Sequence, residues 1–227
     1  LLIEPDIYGA SIVLVGSFNP AIFTPDWFVR NELLKDEFID RDKPILVHNE
    51  FTQFDFEWGN LNCQPERFAV TTQVAPHIRI LDLIATTFGE FLPHTPIRSA
   101  GLNHYVHFRV RDLEARDAIG FSLAPPEAWG DWAPDLCAKD GKRRGGLTSL
   151  TMQQQVVHDE RARHIQVKVE PSRTLKDVAG IFVETNIHQD FSKEEPSAHA
   201  AVRHVTQNWQ WSVDKAEFIF DQIMRKA

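Results

Sequence analysis

Two histidines three residues apart, His104 and His107, are the first groups in this 227-residue chain whose type and spacing could do chemistry. On a helix that spacing puts both imidazoles on one side, where they could share a metal ion; on a strand it sends them to opposite faces. The surrounding residues decide between the two. Leu102, His104, Val106, Phe108 and Val110 alternate with Asn103, Tyr105, His107 and Arg109, the period of two of a half-buried strand. A strand separates the histidines, makes His104 a hydrogen-bonded core residue, and leaves His107 with Asn103, Tyr105 and Arg109 on a polar face. His107, with an unperturbed pKa of about 6.5, is then the candidate acid or base if the chain is catalytic. No metal site and no cofactor are expected.

The same alternation recurs later, with Thr151, Gln153 and Gln155, then Gln166 and Lys168, then Glu184, Asn186 and His188 on polar faces. Rich in amides and poor in charge, these residues form a hydrogen-bonding floor, since fully exposed strands usually carry more charge. Asn103, Tyr105, His107, Arg109 and His188 are its candidate ligand-binding residues. Lys142, Arg143 and Arg144, in the only basic cluster, are candidates to grip phosphate or another anion from a glycine-rich loop, although the spacing is not that of a phosphate-binding loop. Trp129 and Trp132 lie in a long stretch rich in Pro, Gly and Asp and are candidate partner contacts, because Trp is a frequent interface anchor. No Ser-His-Asp or Cys-His set emerges. Val15-Gly-Ser-Phe-Asn-Pro20 resembles the opening of certain nucleotidyltransferases, but the His-x-Gly-His that their chemistry needs is missing, and that activity is excluded.

The chain as a whole sets further bounds. A net charge of -8 opposes binding to a phosphate backbone, which draws on a basic field and counterion release, so nucleic acid is not an expected partner. Cys63 and Cys137 lie far apart without metal or redox spacing, and the N-terminal stretch lacks the apolar run of a signal peptide. A reduced, cytoplasmic protein is expected. No apolar run reaches the roughly 18 residues of a membrane span, so no membrane contact is expected either. Sixteen Phe and six Trp against two Tyr predict a Phe-rich core with a few Trp anchors.

The elements that must position these residues follow from pattern and punctuation. Residues 1–9 read as an arm into a strand at 11–18. Thr24-Pro25-Asp26 opens a helix running to about Leu34, with Thr24 as cap, Pro25 at the first helical position and Asp26 at the positive end of the dipole. Short runs at 45–49, 52–58 and 67–74 predict an antiparallel meander, and apolar residues at helical spacing predict a helix over 77–92. After the central strand at 98–110 come a short helix at 113–119, strands at 147–157, 164–170 and 178–188, and two closing helices at 197–207 and 212–224. The order predicts an α+β fold of two pseudo-duplicated halves, residues 1–95 and 96–227, packed as one compact unit. Each half is strand, helix, three strands, helix, and the antiparallel sheets are covered by helices on one face.

The run Pro96-Ile-Arg-Ser-Ala-Gly-Leu-Asn-His-Tyr105, preceded by a helix and followed much later by a final helix with Phe218 and Phe220, resembles a sporadically distributed family of uncharacterised prokaryotic proteins with a central Gly-Leu-x-Tyr-like strand. That resemblance implies a fold of this size and element order, and implies no activity, catalytic residue or cofactor. The expected function is a non-catalytic binding or assembly component whose partner is another protein or a second copy of itself. The alternative is an enzyme or sensor holding a polar or phosphorylated small molecule in a cleft between the halves.

Overall fold

The computed structural model describes residues 1–136, 146–159, 161–175, 179–191 and 196–225. Its central strand, Ile97–Arg109, spans 13 residues. The strands in chain order are β1 (Ile7–Gly16), β2 (Leu46–His48), β3 (Phe51–Phe56), β4 (Gly59–Gln64), β5 (Arg67–Thr72), β6 (Ile97–Arg109), β7 (Leu150–His158), β8 (Arg161–Pro171) and β9 (Gly180–Asp190). The helices are α1 (Pro25–Arg30), α2 (Arg79–Thr86), α3 (Leu113–Leu123), α4 (Ala133–Leu136) and α5 (Ala198–Met224), and α2 continues through a single π turn at Thr87–Phe91. The fold is α+β, as expected, with an all-antiparallel sheet.

All nine strands form one sheet, in the order β2-β3-β4-β5-β1-β6-β9-β8-β7. The plural sheets of the expectation are therefore corrected to a single one. The halves meet along β1 and β6, which pair from Ile7↔His107 to Gly16↔Ile97 with one irregularity near Gly16, so main-chain hydrogen bonds occupy the boundary. From this central pair β5-β4-β3 on one side matches β9-β8-β7 on the other, while β2 lies beyond β3 without a counterpart among the described residues. That symmetry is one of element order and does not demonstrate duplication. One core cluster takes side chains from both halves, among them Ile12, Phe54, Leu102, Ile187 and Val205.

The register puts the core on one face, under α1, α2, α3 and α5. Ile12 stands opposite Val70 and Leu102, and Leu102 opposite Ile187; all four are completely buried. Phenylalanines concentrate at the end under α1 and α2, where Phe23, Phe68 and Phe88 pack with ring centroids 4.8–6.1 Å apart in the offset and edge-on arrangements favoured by the ring quadrupole. The other end is mostly aliphatic, with Val106, Ile181 and Val183 against Ala216 and Phe220 of α5.

Local chemistry forms α1 as expected: the Thr24 hydroxyl accepts from Trp27 N at 3.1 Å and Pro25 opens the helix. The helix ends sooner than expected, because Asn31 caps it and Glu32 takes a left-handed φ of 57°. Two expected closing helices are one 27-residue helix, α5. No Gly or Pro interrupts 198–224, and the polar residues His204, Asn208 and Ser212 are themselves buried. β1 starts inside the supposed arm, at Ile7, and β4 occupies a stretch read as a turn. The long loop contains a 3-10 turn at Pro126–Trp132 and α4. Among the described residues no helix is long and apolar enough to cross a membrane.

Candidate functional site

With α1, α2, α3 and α5 on one side, no helix among those four covers the opposite face of the sheet, and its side chains fall into rows across the strands. The longest row begins at β6, where Asn103 stands opposite Ser11 of β1 and Asn186 of β9. It continues outward through Gln166 and Gln153 to the β7 edge. In the other direction it runs through Thr71, Asn60 and Asp55 to β3. Eight strands thus present one polar side chain each, neighbours standing about 4.8 Å apart. Only Asp55 is an acid, and Lys43 neutralises it at 2.9 Å. A row of amides and hydroxyls offers donors and acceptors along its length with almost no field of its own.

Two residues along each strand, a second row carries Gln53, Asn62, Val13, Gly101, His188, His164 and Gln155. On the other side of the amide row lie Gly9, Tyr105, Glu184, Lys168 and Thr151, and beyond them His107 and Phe182. The polar residues expected to share a face therefore share one: Asn103, Tyr105, His107 and Arg109 with those of the last three strands. The first half doubles its width through Ser11, Thr71, Asn60 and Asn62. The alternation of β1 and β5 contained that signal, but which strand would lie beside β6 did not appear in the sequence.

Each candidate residue has a definite local role. Asn103, 5% exposed, donates to the Ser11 hydroxyl at 3.0 Å. Tyr105 lies flat over Gly9, where a Cβ would come within 2.2 Å of its ring, and its hydroxyl accepts from Gln73 at 3.1 Å. Glycine at position 9 is what lets the ring bridge three strands. His107 is 6% exposed, packs against Phe182 at 4.9 Å, and pairs through Nδ1 with the Ser172 hydroxyl at 2.8 Å. The same Ser172 Oγ accepts from Leu175 N at 3.0 Å, so the hydroxyl joins the imidazole to the backbone of the following loop. Burial pushes the His107 pKa down, so it is a neutral strut between β6 and the loop after β8. Arg109 turns away to Asp6, at 3.1 Å.

His188 stands opposite Gly101, whereas His107 stands opposite Phe182, six positions away on the same strand. At about 3.3 Å per residue this is roughly 20 Å, so His107, Arg109 and His188 do not converge on one ligand. Burial lowers the His188 pKa, and the nearby His164 adds to the shift. No family model and no curated protein matches the chain. The site rests on its own geometry.

A cleft of about 280 Å³ opens on this face beside Tyr105, lined also by Lys43, Asp55, Asn60, Thr71 and Gln73. It lies wholly on the first-half side of β6. A larger cleft of about 750 Å³ opens on the helix side between α1 and α2, with Trp58, Arg79, Asp82 and Glu90 on its walls. Among the described residues no three His, Cys, Asp or Glu side chains gather as metal ligands would. Trp129 and Trp132 are each 54% exposed, their rings edge-on at 5.6 Å. Lys142, Arg143 and Arg144 lie outside the described residues.

Proposed function

We propose that this protein is a non-catalytic binding or assembly component that recognises a protein partner through the open face of its sheet, with Trp129 and Trp132 as a second anchor. The observation that carries the reading is the uncharged polar row from Asn60 to Gln153, across seven strands and on the face opposite α1, α2, α3 and α5. Amide and hydroxyl rows match the hydrogen-bonding surface of another protein, which carries donors and acceptors in similar density. The engaged histidines support it as well: His107 is hydrogen-bonded and nearly hidden, and a general base must reach the proton it removes. The resemblance of the Pro96–Tyr105 run to a family without assigned activity is consistent with this reading and adds no mechanism.

The test is native mass spectrometry of the protein purified gently from its own host, beside a Gln53→Arg variant. Gln53 is exposed on the open face, so the variant folds while placing a bulky cation in the proposed contact. A stoichiometric second polypeptide that the variant loses is the expected result. A retained small molecule with no polypeptide overturns it. That outcome would support the second reading, a polar small molecule in the cleft beside Tyr105 and Lys43, which the concavity there favours.

A further inference from the structure

The two edges of the sheet are built in opposite ways. β2 is three residues long and follows Pro44; shortness and proline are what protect a sheet edge from adding another strand. β7 is nine residues long, reads Leu-Thr-Met-Gln-Gln-Gln-Val-Val-His, and contains no Lys, Arg, Asp, Glu, Pro or Gly. Thr151 to Gln155 are all exposed, with Met152 at 64% and Val157 at 75%. Among the described residues nothing pairs with its outer side. The unmet N–H and C=O groups along it form a template for another strand.

We propose that β7 pairs antiparallel with β7 of a second copy of this chain, making a two-fold dimer with one continuous sheet. The sequence of the strand identifies the occupant. A dyad perpendicular to the sheet keeps like faces together, so only residues on the same face can stand opposite each other. With Gln154 on the dyad all nine residues pair. Met152 then meets Val156 of the second copy on the helix side, and Gln153 meets Gln155 on the open side. Moving the dyad to Gln153 or Gln155 sets an apolar side chain, Met152 or Val156, against Gln154 instead, and leaves strand ends unpaired. The strand is thus complementary to its own reverse.

Size and charge agree. Four or five residues per strand direct both main-chain groups outward, giving about eight to ten hydrogen bonds across the dyad, within the range of specific interfaces. No charge is brought opposite its own copy, although each chain carries a net -8. The amide row of each copy would run through the interface unbroken, from Gln166 and Gln153 to Gln155 and His164 of the second copy. The inference goes beyond the proposed function, since it uses the edge and leaves the face free.

The experiment is sedimentation velocity with light scattering on the full chain across micromolar concentrations. The expected mass is twice the 26.0 kDa of the chain. Met152→Lys, at an exposed side chain that leaves the monomer folded by circular dichroism, should weaken the dimer about tenfold or more by placing a cation against Val156 of the second copy. Gln154→Cys should yield a covalent dimer with diamide where the parent chain does not, because Cα atoms opposite each other in an antiparallel pair lie about 4.5–5.5 Å apart, within reach of a disulfide. A chain that stays monomeric throughout, or a dimer indifferent to both changes, overturns the proposal. Gln53→Arg, at the far end of the sheet, leaves the dimer intact, so loss of the partner and loss of the dimer are read separately.

Discussion

The two faces of β6 differ more than two strands of different proteins commonly do. His104 and His107, three residues apart, are both buried and both neutral, yet they belong to different environments. On the covered face His104 donates from Nε2 to Ser212, whose own proton goes to Trp209 O at 2.6 Å; its Nδ1 has no partner among the described residues. On α5 itself, His204 accepts from Asn208 and its Nε2 is likewise unpartnered among the described residues. The covered face ties its polar groups inward, His104 to α5, Thr52 to Pro20 O and Thr72 to Trp58 O. The open face ties its polar groups to neighbouring strands and leaves the outer amides free. A covered face spends its polar residues on internal order, and an open one keeps them available.

The largest expected effect separating the faces is acid lability. Burial first, and neighbouring positive groups second, hold His104 and His204 at about 3 against an ordinary value of 6.5. The unfolded chain takes up their protons near 6.5 and the folded chain refuses them until about 3, so the stabilisation is full above 6.5 and drains as pH falls through that window. Each histidine contributes a slope of up to about 1.4 kcal/mol per pH unit. Urea midpoints between pH 7 and 4 should show it, and His104→Gln should flatten it. A curve unchanged by that substitution would break the comparison. The open face adds to the slope through His107 and His188, whose pKa values burial also lowers. Glu184, pushed up by burial, acts in the opposite sense, its stabilisation fading as pH rises through its raised value.

Next in size is Leu102→Ala, which should cost about 2–5 kcal/mol through a cavity in the core, measured as a shifted denaturation midpoint with unchanged slope. Gly9→Ala should cost about 1–3 kcal/mol by overpacking, because the new Cβ meets the Tyr105 ring. A Tyr105→Ala background should remove most of that cost, and a cycle showing no coupling between the two positions would sink the packing account. Smallest is Gln166→Ala, on the exposed part of the amide row, expected within about 0.5 kcal/mol of the parent. If that substitution destabilised as much as Leu102→Ala, the open face would be part of the core.

Alternation, caps and apolar periodicity are properties of neighbours in the chain, and they determined a good deal. The division of β6 into an apolar and a polar face, the cap at Thr24, the three-stranded meander after β6 and the α+β class all followed from residues within a few positions of each other. The failures have the same origin. Gly59 and Asn60 look like a turn when read locally, yet they begin β4 because β3 and β5 supply partners on both sides. Asn208 and Ser212 look like a break between helices, yet α5 continues through them: Asn208 donates back to His204 O, and Ser212 is held between His104 of the sheet and Trp209 O of the helix. What only the tertiary structure decided is which strands are neighbours. Pairing β1 with β6 merged the expected sheets into one and set Ser11 beside Asn103, while the β6–β9 register carried His188 away from His107. The order β6-β9-β8-β7 left β7 at the edge. Strand order rests on contacts between residues far apart in the chain, and no local pattern contains it.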